Sequence, residues 1–194
     1  MKPILYTLLL CSAILLTSCK TDYANLPTYS GSRQLQAVIE VPAGNNLQLK
    51  YDRKAQEFVK AKNAGKDRVT EFLPYPGNYG FIPSTEVGKE GDGLPILVMA
   101  ERVEPGTVME VVPLGILQLE TDGELQPIVI AVPARPSERT VDATTLTAFA
   151  TKYPAAQTIL KEWFVNQNKT AKTKFVAWRD EHFADKEIQR WMKL

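Results

Sequence analysis

Side chains able to do chemistry are unevenly supplied in this chain. His182 is its one histidine and stands in the tail, so neither a histidine-rich zinc site nor a histidine–serine triad is supported. No glycine-rich loop ending in Lys-Ser or Lys-Thr is present to cradle a nucleotide phosphate. Lys50 and Asp52 are more suggestive. Leu47, Leu49 and Tyr51 alternate with Gln48, Lys50 and Asp52, which reads as a half-buried strand. A cation and an acid two residues apart on a strand project to one face.

The two cysteines, Cys11 and Cys19, carry a different message. Lys2 is followed by an apolar core from Ile4 to Leu16, of signal-peptide length and short of the ~20 apolar residues that cross a bilayer comfortably. Leu16-Thr17-Ser18-Cys19 then resembles a bacterial lipobox, in which an aliphatic and two small residues precede the lipidated cysteine. The expected product begins at lipidated Cys19, with two or more acyl chains forming a stable anchor. Cys11 leaves with the leader, so the mature body has no free thiol and no disulfide, which suits an oxidising compartment. The expected address is the bacterial cell envelope, periplasmic or surface-exposed.

The elements that position the chemistry follow from the pattern downstream. Residues 20–33 are polar, with Pro27 and Gly31 and no amphipathic period, and read as a mobile tether. From Leu35 to about Val132 the chain is strand-like. Leu94–Ala100, Val108–Leu119 and Ile128–Val132 are apolar runs, punctuated by Pro105-Gly106 and Thr121-Asp122-Gly123-Glu124. That spacing predicts a small closed barrel. Past Pro136 the period becomes helical, with Ile159, Leu160, Trp163 and Phe164 on one packed face. A strand around Phe175–Trp178 and a closing helix through Ala184, Ile188 and Trp191 complete the reading. The organisation is leader 1–18, lipidated cysteine and tether 19–34, and one domain over 35–194 whose barrel ends near 135. Across 194 residues, 23 basic against 22 acidic side chains leave a net charge of +1, giving no electrostatic reason to expect nucleic acid.

Three stretches together resemble the soluble, metal-dependent inorganic pyrophosphatases (family I). They are Val38-Ile39-Glu40-Val41-Pro42-Ala43-Gly44 leading to Leu49-Lys50-Tyr51-Asp52; Tyr75-Pro76-Gly77-Asn78-Tyr79-Gly80-Phe81-Ile82-Pro83; and Gly91-Asp92-Gly93-Leu94-Pro95-Ile96-Leu97-Val98 with Pro113-Leu114-Gly115 and Ile130-Ala131-Val132-Pro133. The resemblance implies a mixed α+β, mainly β fold: a five-stranded barrel of oligonucleotide/oligosaccharide-binding type with flanking C-terminal helices. It implies Mg²⁺-dependent hydrolysis of pyrophosphate to two phosphates. Such a reaction needs convergent carboxylates for a hard, octahedral cation, and Lys, Arg and Tyr for the phosphate oxygens.

By position, the resemblance makes Glu40, Asp52, Glu90 and Asp92 the metal-site acids, with Asp92 also activating the attacking water. Tyr79 joins Asp92 as a catalytic side chain, and Lys50, Arg68 and Tyr75 hold the substrate. Four family positions are lost. Pro95, Thr121 and Gln126 stand where aspartates are expected, and Ile128 where a lysine is expected. Asp122 and Glu124 are the candidates to replace a missing acid. Two readings stay open. One is an enzyme of impaired or altered activity. The other is a pseudoenzyme, an envelope binding module for a phosphorylated or saccharide ligand or a protein partner. Oligomeric state is left open.

Overall fold

The computed structural model describes residues 20–63, 65–88 and 91–193. Five strands close a barrel: β1 (Leu35–Val41), β6 (Asn78–Val87), β7 (Asp92–Val98), β9 (Glu124–Pro133) and β8 (Val108–Thr121), with β8 returning to pair with β1. All of these pairings are antiparallel except β7–β9, which is parallel. Two short hairpins precede the second barrel strand, β2 (Leu49–Asp52) with β3 (Glu57–Lys60) and β4 (Lys62–Asn63) with β5 (Lys66–Asp67). The barrel and flanking helices expected from the sequence are present.

Local rules account for the strand pairing. Asp122 and Gly123 both adopt positive φ, 52° and 88°, as a tight two-residue hairpin turn between β8 and β9 requires. Gly80 lies opposite Ile39, and a Cβ there would collide with the Val38 carbonyl. The glycine therefore lets β1 and β6 approach.

The apolar runs on β7, β8 and β9 are continuous because both faces of the sheet are covered. Leu97, Leu117, Leu119, Ile128 and Ile130 pack on one side with Phe149, Leu160, Trp163 and Phe164. These aromatic and aliphatic residues come from α1 (Leu146–Lys152) and α2 (Pro154–Asn166). Ile96, Val98, Ile116 and Val129 pack on the other side with Ala184 and Ile188 of α3 (Glu181–Trp191). Caps mark two of the helix starts: Thr145 accepts from the Ala148 N–H and Asp180 from the Phe183 N–H. Between α2 and α3, β10 (Thr173–Arg179) extends the sheet alongside β8. Among the described residues no helix is long and apolar enough to cross a membrane.

Two sequence expectations need correction, and one helix was not foreseen. The stretch read as a mobile tether is packed on the barrel from Lys20 onward. Ala24 is buried, and Tyr23 joins an aromatic cluster with Tyr51 and Phe58. The Thr28 hydroxyl donates to the Pro83 carbonyl at 2.9 Å, and the Ser84 hydroxyl donates to that of Leu26 at 2.8 Å. Side-chain-to-backbone bonds of this kind leave no hydrophobic period to read. Ile159, placed on the packed face of its helix, is 58% exposed. The helix α1 was not anticipated; it is short, with Phe149 alone fully buried.

Candidate functional site

One cleft of about 500 Å³ collects most of the residues singled out in the sequence. Its position is set by the rim of the barrel, the β2–β3 hairpin and the end of α2. Glu40 reaches it through an irregularity in β1: Ile39 pairs with Gly80 and Val41 with Tyr79, so Glu40 is the extra residue of a bulge. A bulge re-aims a side chain, and here the carboxylate turns to accept the Tyr51 N–H at 2.7 Å. Burial, only partly offset by that bond and by Lys50, pushes the Glu40 carboxyl up to about 7 from 4.5.

Lys50 faces the cleft from β2, while its neighbour Tyr51 faces the aromatic cluster beneath. The Lys50 ammonium meets both oxygens of Asp92 at 2.8 and 3.0 Å. Both side chains are about half exposed (49% and 50%), so the pair orients charge at the mouth of the cleft more than it stabilises the fold. Arg68 is fixed by its backbone, which donates to Ala61 at 2.7 Å and accepts from Gln48 at 3.0 Å. Among the described residues it makes no ion pair.

Tyr75 and Tyr79 stack obliquely, with ring centres 5.4 Å apart, and Tyr75 leans on Trp163 at 4.6 Å. The Trp163 indole N–H donates to the Leu73 carbonyl at 2.8 Å, tying α2 to the segment that delivers Tyr75. Burial raises both phenols, Tyr75 to about 12 and Tyr79 further. At neutral pH they are hydrogen-bond donors and not bases.

The structure therefore brings Glu40, Lys50, Arg68, Tyr75, Tyr79 and Asp92 to one cleft. Asp52 is not among its lining residues. Its carboxylate accepts the N–H groups of Lys54 and Ala55 at 2.8 and 2.9 Å, closing the β2–β3 turn, and those bonds hold its pKa below the ordinary range. Glu90 and Cys19 lie outside the described residues. His182 lies beside Asp185 on α3, away from the cleft. Sequence reasoning missed Arg53 and Gln48 on the charged side and Phe164 at the helix end. Arg53 sits at the start of the hairpin turn, where strand alternation gives no guide.

Pro95, Thr121, Gln126 and Ile128, the four positions read as lost, line the same cleft. The Thr121 hydroxyl donates to the Gln126 side-chain oxygen at 3.2 Å and lies 3.1 Å from that of Thr173. Ile128 is buried in the core. Asp122 accepts the Lys172 N–H at 3.2 Å from within its turn and is not among the lining residues; Glu124 is one of them.

The whole-chain comparisons agree with this geometry. The model of the family described as inorganic pyrophosphatase matches residues 37–194. The chain belongs to the inorganic pyrophosphatase family. It is 31% identical over 171 residues to an inorganic pyrophosphatase of Neisseria meningitidis, covering 82% of this chain and 89% of that one. An inorganic pyrophosphatase of Saccharolobus solfataricus is 36% identical over 102 residues, 52% of this chain and 55% of its own. The crystal structure of the Thermus thermophilus inorganic pyrophosphatase superposes with a TM-score of 0.76 at 27% identity, covering 89% of this chain and 97% of that one. The Mg²⁺ that the family resemblance implies needs several convergent oxygen ligands. Among the described residues no three of His, Cys, Asp and Glu come together to hold a metal ion.

Proposed function

We propose that this chain is an envelope-anchored member of the pyrophosphatase family that binds a compact phosphorylated anion and hydrolyses pyrophosphate only slowly. The observation that carries the reading is the make-up of one cleft, which is lined by Lys50, Arg68, Tyr75 and Tyr79 together with Pro95, Thr121, Gln126 and Ile128. The first set supplies cations and hydroxyl donors suited to phosphate oxygens. The second supplies neither carboxylates for a metal nor a cation for the leaving phosphate. Ligands of a metal site act as a unit, so losing several is more damaging than a sum of single losses. Asp92, orienting Lys50, and Glu40 remain to handle a proton near the bound anion.

The neutral wall also favours a second reading, in which the cleft binds its ligand without turnover. Calorimetric titration of the mature protein separates the two. Uptake of Mg²⁺ at millimolar concentration, made tighter by pyrophosphate, supports an enzyme. Pyrophosphate binding that ignores Mg²⁺ supports a binding module. Absence of binding by pyrophosphate and by simpler phosphates alike, under both conditions, overturns the phosphate assignment.

The address is proposed on sequence alone: the apolar core ending at Leu16-Thr17-Ser18-Cys19 supports an acyl anchor on Cys19. Fatty-acid labelling should be lost in Cys19→Ala, and labelling that persists there refutes the anchor.

A further inference from the structure

The cleft has room for more than a bare diphosphate, and the residues that line it differ in kind. About 500 Å³ lies within the range of pockets that enclose drug-sized organic molecules. Along its β7–β9 side, Pro95, Leu119, Thr121, Gln126 and Ile128 form a neutral strip, closed by Phe164 of α2. Register sets the strip: Leu119 lies opposite Gln126, and Leu117 opposite Ile128, so these side chains share one face of the β8–β9 ladder. Thr121 is bonded to the Gln126 side-chain oxygen and lies next to Thr173, and none of the three carries a charge. They present no unpaired charge to an anion. The strip's one acid, Glu124, is exposed beside the hairpin turn.

Resting on the reading of the cationic side as a phosphate site, we infer that the cleft's ligand is an organic phosphate ester. The phosphate lies against Lys50 and Arg68, and an uncharged, partly apolar group lies along the neutral strip. Inorganic pyrophosphate presents charge at both ends, so one phosphate would have to shed its water against Pro95 and Ile128 without a compensating partner. An ester places apolar surface there instead, and burying it is favourable.

Calorimetry on the full mature chain, in metal-free buffer, with inorganic phosphate, pyrophosphate and phenyl phosphate tests this. Phenyl phosphate should bind about 10-fold or more tighter than inorganic phosphate, as burial of one face of a ring implies. Thr121→Asp should bring that ratio close to one by placing a carboxylate beside the ring. Ile128→Lys should do so by strengthening inorganic phosphate, and thermal melting of both variants confirms that they fold. If phosphate or pyrophosphate binds and phenyl phosphate binds no more tightly, the ester inference is overturned while the phosphate site stands. If none of the three binds, the underlying phosphate reading fails as well. Sedimentation of the Cys19→Ala protein, which lacks the proposed anchor, with phosphatidylcholine vesicles carrying phosphatidic acid identifies the source: retention displaced by phenyl phosphate supports a membrane-borne ester, and calorimetric binding without retention supports a soluble one.

Discussion

The two sides of the cleft are built from neighbouring strands of one barrel, yet they differ in how far each could drift. On the charged side, Glu40, Lys50 and Tyr79 are tied into backbone geometry: a bulge and its bond to Tyr51, a hairpin, and a ring stack against Tyr75. On the other side, the lost positions hang from a regular ladder, with Thr121, Gln126 and Ile128 at ordinary register positions on β8 and β9. Side chains on a regular strand can be exchanged without disturbing the backbone, so chemistry there is separable from fold. A fold similarity such as that to the Thermus thermophilus protein, TM-score 0.76 at 27% identity, leaves room for exchanges of this kind.

The sharpest way to test that separability is to rebuild the neutral side. Pro95→Asp, Thr121→Asp, Gln126→Asp and Ile128→Lys in one chain should raise Mg²⁺-dependent phosphate release by roughly 10²-fold or more, since even partners of metal ligands are worth ~10–100-fold. Each single change should do little. A steady-state phosphate assay, run beside a thermal melt to confirm folding, measures both. Large gains from any single substitution break the comparison.

The next effect is read on stability. Glu40 titrates at about 7 in the folded protein against 4.5 when unconstrained. Below the unfolded value the carboxyl is protonated in both states and contributes no pH dependence. Between the two values the folded state holds a proton that the unfolded state has released, so stability falls as pH rises. Above about 7 the full penalty is present. Glu40→Gln keeps an acceptor for the Tyr51 N–H and removes the charge. It should gain about 2–3 kcal/mol at pH 8 and nothing at pH 4, with the loss between pH 4.5 and 7 abolished. Urea melts across that range measure it; equal gains at both ends contradict the assignment.

Smaller effects follow on the charged side. Lys50→Ala should weaken pyrophosphate binding by about 10-fold, the worth of a hydrogen bond to a charged group. Calorimetry decides, and unchanged binding would place the anion elsewhere. Tyr51→Phe removes two bonds to the N-terminal segment, one accepted from the Tyr23 N–H at 3.2 Å and one donated to the Thr21 carbonyl at 3.0 Å. It should cost about 1 kcal/mol and speed amide exchange over residues 20–28. Exchange confined to the wild-type rate would show that the segment does not brace the hairpin carrying Lys50.

The sequence was most legible where periodicity and punctuation agree. The runs at Leu94–Ala100, Val108–Leu119 and Ile128–Val132 became β7, β8 and β9, and Asp122-Gly123 made the hairpin between the last two. The family resemblance located most of the cleft, because Glu40, Lys50, Tyr75, Tyr79 and Asp92 all reach it. Legibility failed where a residue's fate depends on its own backbone. Asp52, which the family resemblance placed at the metal site, spends its carboxylate on the N–H groups of the hairpin turn. Residues 20–34 looked like linker because they are held by scattered hydroxyl and phenol bonds and by a three-residue 3₁₀ turn. Asp122 and Glu124 could not be ranked from sequence; the turn consumes the first and leaves the second at the cleft.

The measurement that bears most directly on the account is the turnover of pyrophosphate by the unmodified mature protein with Mg²⁺ in millimolar excess. On the proposed reading, a cleft whose Pro95, Thr121, Gln126 and Ile128 supply neither carboxylate nor ammonium should release phosphate at a rate several orders of magnitude below ~10² s⁻¹, a rate well inside the ordinary range for enzymes. Turnover at ~10² s⁻¹ would contradict it, and would mean that acids such as Glu124, with Glu40 and Asp92, assemble a working metal site when Mg²⁺ binds.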